Sequence, residues 1–77
     1  MDKSIYTAEH QRLCKVLRDL RHEADLTQVQ VAEKLDVPQS FVSKYESGDR
    51  RLDLIELHHV AKALGTTVQS VLERMEL

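Results

Sequence analysis

The chain has 77 residues, which leaves room for a single domain spanning 1–77, and a domain of that size buries only about 60% of the surface its unfolded chain exposes. One cysteine, Cys14, excludes an internal disulfide framework and points to a reducing, cytoplasmic setting; no apolar run reaches the ~18–20 residues of a membrane span, and the N-terminus lacks a signal peptide's apolar block. A net charge of −2 excludes a uniformly basic surface, so any polyanionic partner has to meet a local basic face.

With aromatics at 4% and no tryptophan, the core has to be aliphatic, and Leu, Val and Ala recur at helical spacing. Residues 1–6 show no periodicity and read as a flexible arm. From Thr7, a plausible N-cap, the positions Leu13, Val16, Leu17, Leu20 and Ala24 trace one helical stripe, predicting a helix near 7–23. Thr27 followed by Gln30 is a capping box and opens a helix near 28–35. Asp36-Val37-Pro38 stops it, because the residue before a proline is pushed out of the helical region. A third helix near 39–47 ends at Gly48, a left-handed terminator. Asp53 and Glu56 cap a fourth near 54–64, with Leu54, Leu57, Ala61 and Leu64 on its inner face and Gly65 at its end. Thr67 caps a fifth near 68–75. No strand pattern appears, so the expected fold is an all-α, compact five-helix bundle.

The segment from Gln28 to Ser47 carries the chemistry. Two short helices crossing at a tight break need a small residue where their backbones approach and apolar residues on the facing sides. Ala32 meets the first need, and Val31, Leu35, Val37, Val42 and Tyr45 meet the second. The opposite side of the third helix carries Gln39, Ser40, Ser43 and Lys44. Amides, hydroxyls and ammonium groups are the types that pair with base edges and phosphates.

Leu26-Thr27-Gln28, Val31-Ala32, Lys34-Leu35, Ser43-Lys44-Tyr45-Glu46-Ser47-Gly48 and Ala61-Lys62-Ala63-Leu64-Gly65 follow one another in an order that resembles the Xre/Cro-type, lambda-repressor-like helix-turn-helix family. Leu17-Arg18-Asp19-Leu20-Arg21 extends the likeness into the first helix. The resemblance implies a DNA-binding transcriptional regulator whose third helix enters the major groove, with Gln39, Ser40, Ser43 and Lys44 at base-facing positions. Gln39 is placed to pair bidentately with adenine. Thr27 and Gln28, at the start of the second helix, match a phosphate-holding position, in keeping with the unpaired amides and positive dipole end there. Arg50 and Arg51 are the expected flanking phosphate clamps. Arg21 and Glu46 match a structural ion pair of the family. Phage-type repressors, restriction–modification controllers and antitoxins are all small free-standing members of it, and the sequence does not choose among them.

Two positions depart from the family pattern. Asp36 stands where the turn usually has glycine and has to adopt a left-handed conformation at some cost. Pro38 stands where a Ser or Thr cap is usual, a loss of roughly 1 kcal/mol unless the proline occupies the first helical position, where it is well tolerated. Phe41 has two placements, at the edge of the DNA-facing side against a thymine methyl or tucked against the second helix. Cys14 reads as an inert packed thiol, and His58-His59 as structural, since adjacent helical residues diverge by ~100°. No nucleophile–base pairing, metal-ligand spacing or phosphate loop points to an enzyme, a cofactor or a small-molecule ligand. Val68, Val71, Leu72, Met75 and Leu77 exceed what a short terminal helix can bury, and a homodimer built on Val68, Leu72 and Met75 is the expectation. The other class of function open to this fold is a protein-interaction module with little DNA affinity, for which the acidic balance is the support.

Overall fold

The computed structural model describes the backbone from Lys3 and the side chains from Thr7, to Leu77. Its elements are α1 (Lys3–Glu23), α2 (Gln28–Leu35), α3 (Gln39–Ser47), α4 (Leu54–Ala63) and α5 (Val68–Arg74), with no strand among the described residues. Each break follows from local chemistry. Thr27 Oγ1 accepts the Gln30 amide at 3.1 Å while Gln30 Oε1 accepts the Thr27 amide at 2.8 Å. Asp53 and Glu56 form the same reciprocal box at the start of α4, at 2.7 and 2.9 Å. Thr67 Oγ1 takes the Ser70 amide to open α5. These side chains satisfy amides that have no intrahelical acceptor.

The helix ends are equally local. Asp36 closes α2 in the left-handed region at φ 58°, and its amide donates into the last turn of α2. Gly48 closes α3 at φ 91°. Between them Pro38 stands as the N-cap of α3, with ψ 153° and no side-chain cap bond. It therefore lies one residue outside the helix rather than at the first helical position, and the missing cap is not compensated in that way.

The core is aliphatic around one phenol ring. Leu17, Val31, Val42, Tyr45, Val60 and Val71 are almost wholly buried, with Ala32 and Ala61 packed among them. Helix α3 packs on α2 and α1, α4 on α2, and α5 bridges α1 and α4. Two ties fasten α5: Arg12 Nη1 donates to the Met75 carbonyl at 3.0 Å, and Arg74 meets Glu23 through both its terminal nitrogens.

Some expectations need correction. The backbone of α1 is helical from Lys3, so Thr7 lies inside the helix and is not its cap, and residues 3–6 of the expected arm are helical, while Met1 and Asp2 lie outside the described residues. Extending an existing helix is far cheaper than nucleating one, so helix can run on ahead of the first apolar stripe. Ala24 is exposed, beyond the end of α1. Leu54 is 69% exposed instead of facing inward. Helical side chains lean toward the N-terminus, so a first-turn residue projects off the end of the helix and past the layer beneath it. Val60, absent from the expected stripe, takes the buried place.

Candidate nucleic-acid interface

One turn of the chain around α3 sorts its residues into two sides. Val42, Tyr45 and Glu46 are buried, while Gln39, Ser40, Ser43 and Lys44 are all exposed along the opposite side. The row is flat in chemistry as well as in position: an amide, two hydroxyls and one ammonium. Among the described residues, no carboxylate lies within ion-pair distance of Lys44.

Beneath this row lies a buried pair. Arg21 Nε donates to Glu46 Oε2 at 2.6 Å and Arg21 Nη2 to Glu46 Oε1 at 3.0 Å, with the two side chains only 11% and 4% exposed. Arg21 Nη1 also donates to the Leu26 carbonyl, so the guanidinium is spread over α1, the α1–α2 turn and α3. The Glu46 hydrogen bonds hold the Arg21 guanidinium even more firmly protonated than usual. Next to the pair, the Tyr45 hydroxyl is buried without a hydrogen-bond partner among the described residues, and burial pushes its ionisation far above the ordinary range.

The pair reaches outward through Gln28, a link that the sequence did not reveal. Gln28 Nε2 donates to Glu46 Oε1 at 3.0 Å, and Gln28 Oε1 accepts from Gln39 Nε2 at 3.3 Å. Four side chains from three helices thus form a continuous polar line from Arg21 in the interior to Gln39 at the surface. The signal was present only as residue types, since nothing in their spacing specifies that the two amides meet.

The two arginines past Gly48 separate. Arg50 forms an ion pair with Glu56 and lies over the Phe41 ring, 4.6 Å from its centroid. The expected phosphate clamp is here a strut between the end of α3 and the start of α4, its charge already matched. Phe41 packs edge-on to Tyr45 with centroids 5.9 Å apart and is half-buried, lining one hollow with Leu35 and Val37 at the end of α2 and with Glu56, His59 and Val60 of α4, which favours the placement against the second helix. Arg51 has no ion-pair partner among the described residues and is exposed, lining a hollow with His10, Leu13, Leu52 and Met75. Thr27 is exposed, and its hydroxyl is engaged in the capping box.

The remaining expectations divide. Cys14 is buried, and desolvation raises its thiol, the opposite of an activated nucleophile. The His58 and His59 rings meet edge to face at 5.3 Å. Of the residues expected to form a dimer contact, Met75 is a core residue at 5% exposure and Val68 is half-buried, so only Leu72 stays open, with the exposed Leu77 tied to it by a 3.0 Å bond from the Leu77 amide to the Leu72 carbonyl. The turn of α5 carries Met75 back onto the body of the domain, where the backbone tie to Arg12 holds it.

Two short helices meeting at a Pro-marked turn, the second with a polar row facing solvent, define a helix-turn-helix DNA-binding domain. Residues 17–71 match the helix-turn-helix family, and the chain belongs to that family, as an Xre-type DNA-binding transcriptional regulator. It is 31% identical over 61 residues to the control protein C.MunI of Mycoplasma sp, covering 78% of this chain and 82% of that one. Among solved structures it is similar to an XRE-family like protein from Pseudomonas syringae pv. tomato str. DC3000, with a TM-score of 0.90 and 40% identity over 96% of this chain and 90% of that chain. The restriction–modification controller protein C.Esp1396I superposes with a TM-score of 0.82 over 88% of each chain at 22% identity, a likeness of fold alone.

Proposed function

We propose that the chain is a cytoplasmic regulator of the controller type that binds a two-fold DNA site as a homodimer, with no catalytic activity of its own. The observation that carries the reading is the exposed row Gln39, Ser40, Ser43 and Lys44, with Gln39 held in place from below by Gln28. In this reading those four side chains meet base edges. Thr27 and Gln28, at the positive end of α2, together with Arg51, meet phosphates. Arg50 contributes by bracing the α3–α4 loop. The control protein C.MunI favours the controller subclass over a phage-type repressor or an antitoxin.

Geometry and exposed surface support the dimer. One recognition helix reads only a few base pairs, and a two-fold pair sets two of them one DNA turn apart, ~34–36 Å. Leu72 and Leu77 are open at the end of the chain, and Leu54 and Ile55 are 69% and 66% exposed at the start of α4. Helices α4 and α5, which carry Leu54, Ile55 and Leu72, pack against each other. Sedimentation at micromolar concentration should give a dimer that Leu72→Glu or Ile55→Glu converts to monomer; a monomeric wild type refutes the assembly.

Binding itself is tested with a duplex selected from a randomised pool by the wild-type protein. Gln39→Ala should lose ~1–3 kcal/mol on the selected duplex and nothing on random DNA. Arg51→Ala should weaken both alike and flatten the salt dependence by about one ion. Equal losses on both duplexes for both variants would refute the division into readers and clamps. The acidic balance and the neutralised Arg50 favour the second reading, a protein-interaction module; binding too weak to select any duplex, with no salt dependence, would establish it.

A further inference from the structure

We infer that His10 and Cys14, one turn apart on α1, form a binding site for a soft monovalent metal ion such as copper(I). The site lies against Gly48, the residue that ends α3. It is separate from the exposed polar row of α3, and nothing in it depends on how that row meets DNA.

An i,i+4 spacing only puts two side chains on one face of a helix; the donor atoms themselves single this pair out. Cys14 Sγ lies 3.8 Å from His10 Nε2. Metal–sulfur and metal–nitrogen bonds of ~2.3 and ~2.0 Å span that gap at an angle of about 120°, so neither side chain has to move far. Room is present beside both donors. A Cβ on Gly48 would stand 4.0 Å from Sγ and 4.0 Å from Nε2, and glycine leaves that position bare. Cys14 opens on a hollow that Gln11, Arg18 and Ser47 also line, which gives an ion a path to the sulfur. Burial then selects the charge of the ion. The thiol gives up its proton to solvent as the sulfur–metal bond forms, and the imidazole, with its own proton on Nδ1, offers the Nε2 lone pair. A thiolate with a monovalent ion is neutral overall. A divalent ion would leave a net positive charge where Cys14 is only 6% exposed, with the Arg18 guanidinium on the same hollow. The carboxylate lining that hollow, Glu46, is already committed to Arg21 and Gln28. Among the described residues no cluster of three ligating side chains answers zinc's demand for four ligands, whereas a thiolate with an imidazole suits soft copper(I).

The test is a competition for copper(I) between the reduced protein and a chromophoric chelator of known affinity, in the absence of oxygen. Wild type should take a single ion per chain from the chelator and gain a thiolate-to-copper absorption in the ultraviolet. Cys14→Ala and His10→Gln should each lower the affinity by more than the ~10–100-fold that loss of an outer-shell partner typically costs. Zinc(II) in excess should leave the copper(I) in place. Thermal melts of the metal-free variants check that they fold. Should Cys14→Ala fail to do so, His10→Gln, at a half-buried position, decides alone. No uptake by wild type, or uptake that survives Cys14→Ala unchanged, overturns the site. An unchanged affinity in His10→Gln overturns the pairing and leaves a thiol acting by itself. Displacement of copper(I) by zinc(II) overturns the assignment to a monovalent ion.

Discussion

Two of the arginine–glutamate pairs among the described residues are nearly the same in local geometry. Arg21–Glu46 and Arg74–Glu23 are both two-point contacts between a guanidinium and a carboxylate. The first has side chains 11% and 4% exposed and the second 43% and 53%. Chemistry is held constant and solvent is varied. Around the inner pair water cannot take over when one partner is lost, so each group depends on the other. Around the outer pair water and salt compete for both ends, and long side chains give up entropy to hold one arrangement. The inner pair consequently organises its surroundings, reaching Leu26, Gln28 and Gln39, while the outer one only fastens α5 to α1.

The largest expected effect comes from breaking the inner pair on one side. Glu46→Ala strands a buried guanidinium and should destabilise the fold by ~3–5 kcal/mol, a large part of the ~5–15 kcal/mol that a natural domain has in total. Replacing both partners, Arg21→Met with Glu46→Leu, should recover most of that loss in denaturant melts, because no charge is then left unpaired. A double variant as unstable as the single one would show that the pair contributes more than mutual neutralisation.

A smaller effect is expected at Tyr45, whose buried hydroxyl has no hydrogen-bond partner among the described residues, beside the well-paired Glu46. Tyr45→Phe removes a desolvated group that makes no bond, and stability should hold or rise by about 1 kcal/mol. A clear loss in the melt would mean that the hydroxyl does find a partner in solution.

The smallest effect belongs to the outer pair. Arg74 holds the exposed Glu23 carboxyl below the usual carboxylate range, chiefly by the hydrogen bonds between them. A lowered folded-state value means that the contribution is present at neutral pH and lost as pH falls through that value. Arg74→Ala should therefore differ slightly from wild type near neutrality, less in high salt, and not at all in strong acid. A difference that persists in acid would assign the effect to packing of the Arg74 stem instead of its charge.

The same contrast between buried and exposed governs how much the sequence disclosed. Helix starts were readable because Thr27 with Gln30, and Asp53 with Glu56, act within three residues of one another. The turn was readable from Pro38 and Gly48, and the core of α2 and α3 from Val31, Ala32, Val42 and Tyr45, because periodicity reports which side is buried. Periodicity says less about where a side chain meets the edge of the body, so Leu54 and Met75 were placed on the wrong sides. It says nothing about competition among charged partners. Arg50 had a phosphate and Glu56 equally open to it in sequence, and in the structure it pairs with Glu56 and stacks on Phe41. Arg21 with Glu46 could be inferred from family likeness alone, and the Gln28–Gln39 contact needed coordinates.

The bond from Arg12 Nη1 to the Met75 carbonyl joins positions 63 residues apart. That separation has a consequence in time. Contacts between neighbours in sequence form early, and each distant closure has to wait until the segments between are in place. The docking of α5 on α1 is therefore expected to form late in folding and to open early. A helix of seven residues has little stability once undocked. Amide hydrogens of α5 should accordingly exchange with solvent through a partial opening that leaves α2 and α3 protected. Helix α3 should then keep its shape through fluctuations that release α5.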